Sequence, residues 1–285
     1  RQPPPPPGPP PAVAAMQAPA AQARHVLVCC AAWLRLAQSC TILPRRPLRA
    51  RGVACQRARS ARVAEPSTLP ASLPRGRGAL HRYGKAVVGV DEAGRGSLAG
   101  PVVAAAVVVR LGAKGLGRGI TDSKKLRQPQ REWVFELLTA HPRVDWSVGV
   151  VGERRIDEIN VLQATYEAMT DAVQGLPPGL GPFGRVLVDG NGLPPPLAEG
   201  HDCQAVVHGD STSFVIAAAS IIAKVYRDRL MQELDVAFPS YGFRKHKGYG
   251  TKEHLSALRV HGPAEVHRKT YQPVKSLLLA GARPR

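Results

Sequence analysis

The chain has 285 residues, a formal net charge of +18 and 5% aromatic residues, a length for one large domain or two small ones. Ten Arg and no Lys or acid lie in residues 1–64, so +10 of the charge sits there and 18 − 10 leaves +8 for residues 65–285. Four of the five cysteines (Cys29, Cys30, Cys40, Cys55) also lie in that stretch, so the remainder, with Cys203 alone, excludes an internal disulfide and a CxxC metal site and suits a reducing compartment.

The chain opens on "RQPPPPPGPPP", a polyproline-like run that does not pack, and Met16 reads as the start of translation. Residues 1–64 carry Ala, Arg and scattered Ser without acids, the composition of an organelle transit peptide for a plastid or mitochondrion, with a cytoplasmic or nuclear location as the alternative. The apolar run Val26–Leu34 is closed by Arg35 and is too short to span a bilayer, although it could form the core of a secretory signal. No membrane association is expected. Residues 65–84 are rich in Pro, Ser and Gly and read as a linker.

The folded body is expected from residue 85 to 275, with 276–285 as a tail. Ala86–Val90 and Val102–Val109 are short apolar runs bounded by glycines and read as strands. "DSKK" starts a helical turn that Asp122 or Ser123 can cap, and Gln130–Ala140 has helical spacing. Trp146–Val151 is a third strand. Glu153–Leu176 is helical, with Asn160 interrupting or capping it. Arg185–Val188 is a strand delivering Asp189, and Ala205–Val207 is a strand ending shortly before Asp210. Ser213–Phe238 is a long helix whose first half, "FVIAAASIIAK", is small enough to approach a sheet closely, and Thr251–His261 is a shorter one. Strands first, then helices interleaved with single strands, imply an α/β fold with a mixed central sheet flanked by helices and a C-terminal helical part.

The chemistry concentrates at strand ends. Asp91 and Glu92 follow "VVGV", Asp189 follows "VLV", and Asp210 follows "AVVHG". Crowded carboxylates raise one another's pKa, and a bound cation relieves the repulsion. Oxygen ligands without Cys or clustered His select Mg²⁺ or Mn²⁺, and a pair of such ions cleaves phosphodiesters. A lone Asp after a strand is equally a turn former or helix cap, so the pattern by itself leaves both readings open. A phosphate-loop reading of "GVDEAGRGS" fails, because Arg95 and Gly96 stand where Lys and Ser or Thr are required and two carboxylates would repel phosphate.

The segments "GVDEAGRGSLAGPVVAAAVVV", "ITDSKKL", "IDEINVLQATYEAM", "LVDGN", "GDSTSFVIAAASIIAKVYRDRLM", "YGFRKHKGYGTKEHLSAL" and "HRKTYQPV" resemble ribonuclease HII of the bacterial type, in the same order. The resemblance implies the ribonuclease H-like α/β fold and an endonuclease that cuts 5′ of a ribonucleotide embedded in duplex DNA, or the RNA strand of an RNA–DNA hybrid, leaving a 5′-phosphate. The expected roles are ribonucleotide removal and primer removal in DNA repair and replication. It places four metal-binding catalytic acids at Asp91, Glu92, Asp189 and Asp210. Gly94, Arg95 and Gly96 become a ribonucleotide-reading loop and Tyr249 a junction-sensing residue. The 2′-hydroxyl is what such a loop reads, and glycines let the backbone come near it. Lys124 and Lys125 suit phosphate contact or a solvated helix start. Lys245, His246 and Lys247, beside Tyr249, favour substrate phosphate. Asp228 reads as ion-paired with Arg227 or Arg229, Lys224 as a structural pair, and His208 and His267 as structural.

Three positions depart from the pattern the resemblance implies: Gly192 for an Arg, His208 for a Lys, and Thr212 for a Lys or Arg. Each removes a positive charge and is expected to weaken substrate affinity rather than chemistry. The Pro-rich stretch after Gly192 could rearrange that loop. A catalytically impaired nucleic-acid-binding protein with the same fold is the main alternative. Retention of all four acids argues against it, since a pure binder gains nothing from negative charge against phosphates. "GRG" and "KGY" argue against another nuclease of the fold, and residues 1–84 lack the composition of the extra N-terminal domain of ribonuclease HIII. The family precedent is a monomer.

Overall fold

The computed structural model describes residues 86–281 apart from 112, 114–115, 117–119 and 121–122. The leader, the linker, the end of the tail and the Asp122 cap lie outside the described residues, as does the side chain of Lys125. Strand β1 is Val87–Ala93 and β2 is Val102–Val109. A 3₁₀ turn at Ser123–Lys125 precedes helix α1, Gln128–Ala140, which starts two residues earlier than the periodicity suggests. Pro129 is tolerated in its first turn, and Gln130 Oε1 accepts the Arg127 N–H at 2.9 Å. Next come β3 (Val144–Val151), α2 (Glu153–Gln174), β4 (Arg185–Asp189), α3 (Pro195–Gly200) and β5 (Cys203–Val206). A one-turn helix α4 (Gly209–Thr212) leads into α5 (Phe214–Ala237). The C-terminal part holds a 3₁₀ turn at Pro239–Tyr241, α6 (Phe243–His246), α7 (Lys252–His261) and α8 (Val274–Gly281).

The sheet order is β3-β2-β1-β4-β5. β1, β2 and β3 pair antiparallel, while β4 joins β1 and β5 in parallel, so the sheet is mixed as expected. Alternation splits its side chains between two cores. Val87, Ala105, Val107 and Leu187 face α1 and α5, while Val88, Val90, Ala104, Ala106, Val186 and Val188 face α2. Glycine permits the closest approach on each side. A Cβ on Gly89 would lie 2.3 Å from the Val215 carbonyl carbon, and one on Gly149 would lie 2.0 Å from the Ala168 oxygen. A third core of Leu98, Ala99, Met231, Tyr241, Phe243, Leu258, Val266 and Val274 docks the C-terminal helices against the β1–β2 loop.

Four sequence expectations are corrected. β1 does not end before the acids: Asp91 and Glu92 lie inside it, paired with Ala105 and Ala104, because the antiparallel partner continues past them. β5 begins at Cys203 and ends at Val206, and Gly209–Thr212 forms a separate turn ahead of the long helix. The Pro-rich stretch after Gly192 forms α3, since proline fits a helix's first turn. Asp228 pairs with neither neighbouring Arg: its carboxylate accepts Lys224 Nζ at 2.8 Å, one turn back on the same face. Asn160 both interrupts and caps. Its φ is 66°, and Oδ1 accepts the N–H groups of Leu162 and Gln163 at 3.0 and 3.1 Å.

Gly149→Ala should lower unfolding free energy by about 1–3 kcal/mol through overpacking against the α2 backbone. A urea titration would show this as a lower midpoint at unchanged slope, whereas an unchanged midpoint would mean α2 can retreat from β3 without cost.

Candidate active site

Asp91 and Asp189 come together because the parallel β1–β4 register puts them side by side, β4 ending at Asp189 while β1 runs on to Ala93. Val90 pairs with Val188, so each Asp stands one residue past the last β1–β4 partner, on the face toward α5. Asp91 is 5% exposed. Its carboxylate accepts the Glu92 N–H at 2.6 Å and the hydroxyl of Ser220 on α5. Ser123 Oγ lies 2.9 Å from Ser220 Oγ, which links the 3₁₀ turn to the same helix. Asp189 Oδ1 accepts the N–H of Gly209 at 2.7 Å and of Asp210 at 3.4 Å, which folds α4 back over β4 and brings Asp210 to the same end of the sheet.

Burial raises the Asp91 pKa well above the carboxylate range, and Glu92 and Asp189 add repulsion. Glu92 is raised chiefly by burial, with Arg95 opposing and Asp189 reinforcing the shift. Two cations lie against this negative end. Arg95 Nη1 is 3.3 Å from Glu92 Oε1, and Lys124 Nζ is 3.2 Å from Asp210 Oδ2. The donors are carboxylate oxygens throughout, which fits Mg²⁺ or Mn²⁺ by chemistry. The repulsion at Asp91 and Glu92 is the field a divalent ion would relieve. As the side chains stand, no three Asp, Glu, His or Cys groups among the described residues surround a single point.

The glycine loop adjoins the acids. Gly94 has φ +98°, and a Cβ on it would lie 2.0 Å from Arg227 Nε, so both backbone and space require glycine. Arg95 and Gly96 are exposed, and a Cβ on Gly96 would meet nothing within 4 Å. Two buried guanidiniums fix this loop. Arg268 donates to the carbonyls of Gly94 and Arg95 at 2.7 Å each and to Gly100 at 2.9 Å. Arg227 donates to the carbonyls of Pro101, Ala99 and Lys247 and to the Ser97 hydroxyl. Burial lowers the pKa of Arg227 to about 10, leaving it charged at neutral pH.

Tyr249, 36% exposed, lies beside the same Arg227, whose guanidinium carbon is 5.5 Å from the ring centre; Lys224 Nζ is at 5.7 Å. Lys247 is 9% exposed and donates to the Arg244 carbonyl at 2.7 Å, so its ammonium braces its own loop. His208 is exposed, in a left-handed conformation at the head of α4. Gly192 faces the Tyr166 hydroxyl, where a Cβ would come within 2.3 Å, so a larger residue there would have to displace Tyr166. Local sequence pattern does not mark Ser123, Ser220, Arg227 and Arg268 as parts of the site, yet they brace it. Arg268 stands in the noted "HRKTYQPV" segment, but its carbonyl partners lie more than 160 residues away in the chain.

The model of the family described as Ribonuclease HII matches residues 88–274. Ribonuclease HII of Chlamydia trachomatis serovar L2 is 51% identical over 197 residues, covering 68% of this chain and 86% of that protein. The ribonuclease H2 structure from Pyrococcus horikoshii OT3 superposes with a TM-score of 0.55 at 26% identity, covering 70% of this chain and 100% of that one. Bst-RNase HIII, crystallised in complex with Mn²⁺, shares the fold with a TM-score of 0.53 at 17% identity over 74% of this chain and 75% of its own.

Because its folded-state pKa lies above the unfolded value, Asp91 contributes stability below the ordinary Asp range that is lost as pH rises through the folded value. Asp91→Asn should therefore melt higher than the parent chain at pH 7 in chelator, with the gap closing as pH falls below the ordinary Asp range. Calorimetry across pH measures this, and a variant that melts lower at neutral pH would show the carboxylate to be stabilising.

Proposed function

Since the chain belongs to the ribonuclease HII family and is an endonuclease of the ribonuclease H class, we propose that it cuts 5′ of single ribonucleotides embedded in duplex DNA, and the RNA strand of RNA–DNA hybrids, with divalent-metal assistance. One observation carries this: a cluster of like-charged acids, with Asp91 and Asp210 buried and Glu92 and Asp189 half-buried, abuts a glycine loop whose carbonyls are bonded from behind.

Asp91, Glu92, Asp189 and Asp210 would hold Mg²⁺ or Mn²⁺, and a pair of these ions supplies an activated water and charge stabilisation at the leaving oxygen. The protein's own groups do the rest. The backbone of Gly94–Gly96, open to solvent at Gly96, can approach a 2′-hydroxyl in the minor groove without a side chain between. The exposed guanidinium of Arg95 can leave Glu92 for the phosphate beside that sugar. Lys124, with its side chain 81% exposed, bridges Asp210 to the approaching backbone. The Tyr249 ring can stack on the following nucleotide, where a second 2′-hydroxyl would crowd it. The partner is therefore RNA–DNA or ribonucleotide-containing duplex. Among the described residues no helix is long and apolar enough to cross a membrane.

The test uses the full chain on a labelled duplex with one ribonucleotide, on a hybrid, and on all-DNA, in Mg²⁺, Mn²⁺ and EDTA. Nicking 5′ of the ribonucleotide is expected in either metal, absent in EDTA, on all-DNA and in Asp189→Asn. Binding without cutting in both metals would contradict the proposal and favour a binding protein that has lost catalysis.

A further inference from the structure

Behind Tyr249 the structure holds a cluster of imidazoles that the acid site does not use. His254 and His267 are fully buried and His246 nearly so. His246 and His254 stack with ring centres 4.4 Å apart, and Phe243 packs edge-on against both. The backbone in front is unusual: Lys247 and Gly248 both have positive φ, 53° and 81°. A lysine in that region persists only when its surroundings hold it there.

One tautomer assignment satisfies the contacts of the cluster together. His254 Nδ1 lies 3.0 Å from the Tyr249 carbonyl, which only accepts, so Nδ1 carries the proton. Burial keeps His254 neutral, with a pKa of about 4, so its Nε2 is bare. That nitrogen is 3.1 Å from His267 Nε2, which must then be the donor. His267, also held near 4 by burial, is left with a bare Nδ1 that accepts the Ala264 N–H at 3.0 Å. The Ala264 carbonyl lies 3.3 Å from the same nitrogen, farther than the Ala264 N–H. His246 takes the matching form, Nε2–H to the Tyr241 carbonyl at 2.8 Å and Nδ1 accepting the Gly248 N–H at 3.3 Å.

We propose that His254 and His267 are positioning residues: a one-way relay from the Ala264 N–H through both imidazoles to the Tyr249 carbonyl sets where the Tyr249 ring meets the nucleotide 3′ of the ribonucleotide. The proposal deepens the reading of Tyr249 given above and rests on it. It makes the loop's aim depend on a single tautomer pair, not on bulk.

Two replacements of His254 separate position from bulk. Asn places an amide where Nδ1 stands and can still donate to the Tyr249 carbonyl, while Gln reaches Nε2 and cannot. Cleavage is measured with the full chain on two substrates, a ribonucleotide followed by a deoxynucleotide and one followed by a second ribonucleotide. His254→Gln should lower kcat/KM on the first relative to the second by about fivefold, the worth of one hydrogen bond, and His254→Asn should restore the ratio. Imidazole nitrogen NMR of the parent chain should show Nδ1–H on His254 and Nε2–H on His267. Equal losses on both substrates, indistinguishable Gln and Asn variants, or other tautomers would overturn the relay. If Tyr249→Ala leaves the substrate ratio unchanged, the proposal fails through the tyrosine reading, and the tautomers then report separately on whether the relay exists.

Discussion

The constraint on which the site depends is the burial of like charge at one end of two parallel strands. Asp91 sits inside β1 with Glu92 beside it and Asp189 at the same level on β4. An apolar sheet under two helical layers would be more stable with neutral residues there. The surroundings keep the acids in place. Ser220 and the Glu92 N–H bond Asp91, the N–H groups of Gly209 and Asp210 bond Asp189, and Arg95 and Lys124 answer Glu92 and Asp210. Each contact restrains an acid without supplying more than one cation to it. Arg95 and Lys124 pair with Glu92 and Asp210 rather than with Asp91 or Asp189.

The recognition loops are built on a different principle. Arg227 and Arg268 are buried, and carbonyl dipoles and hydroxyls surround their charge. A guanidinium presents its donors in a fixed fork, so the eight oxygens around these two groups define a rigid template. Arg227 touches both loops at once: Ala99 and Pro101 on one side, Lys247 and the Tyr249 ring on the other. Backbone bonds reinforce the join, from Leu98 N–H to the Gly248 carbonyl and from Arg268 N–H to the Leu98 carbonyl. The elements proposed to read the ribonucleotide and the nucleotide after it are thus tied directly to one another.

Much of this was legible in the sequence where local pattern decides. The apolar run of β2, the Asn160 cap and the strand leading to Asp189 follow from periodicity and turn chemistry. The small residues of "FVIAAASIIAK" announced a helix lying close on a sheet, and Gly89 meets it there. Local pattern failed where partners come from afar. β1 continues through Asp91 and Glu92 because β2 pairs with it, although charges usually mark the end of an apolar run. Nothing local marks Arg227 and Arg268 as buried, since arginine is rarely buried and only the folded loops supply their acceptors. The imidazole relay is likewise a tertiary product of His254 and His267, which "EHL" and "VHR" do not reveal.

The proposed function requires the four acids to bind divalent cations together. Mn²⁺-induced relaxation of backbone amide signals tests it most directly. Titrated into the full chain, Mn²⁺ should broaden the amides of Glu92, Gly209 and Asp210 first, and Asp91→Asn and Asp189→Asn should each shift that broadening to higher Mn²⁺. Broadening centred elsewhere on the molecule, or unchanged in both variants, would contradict the account.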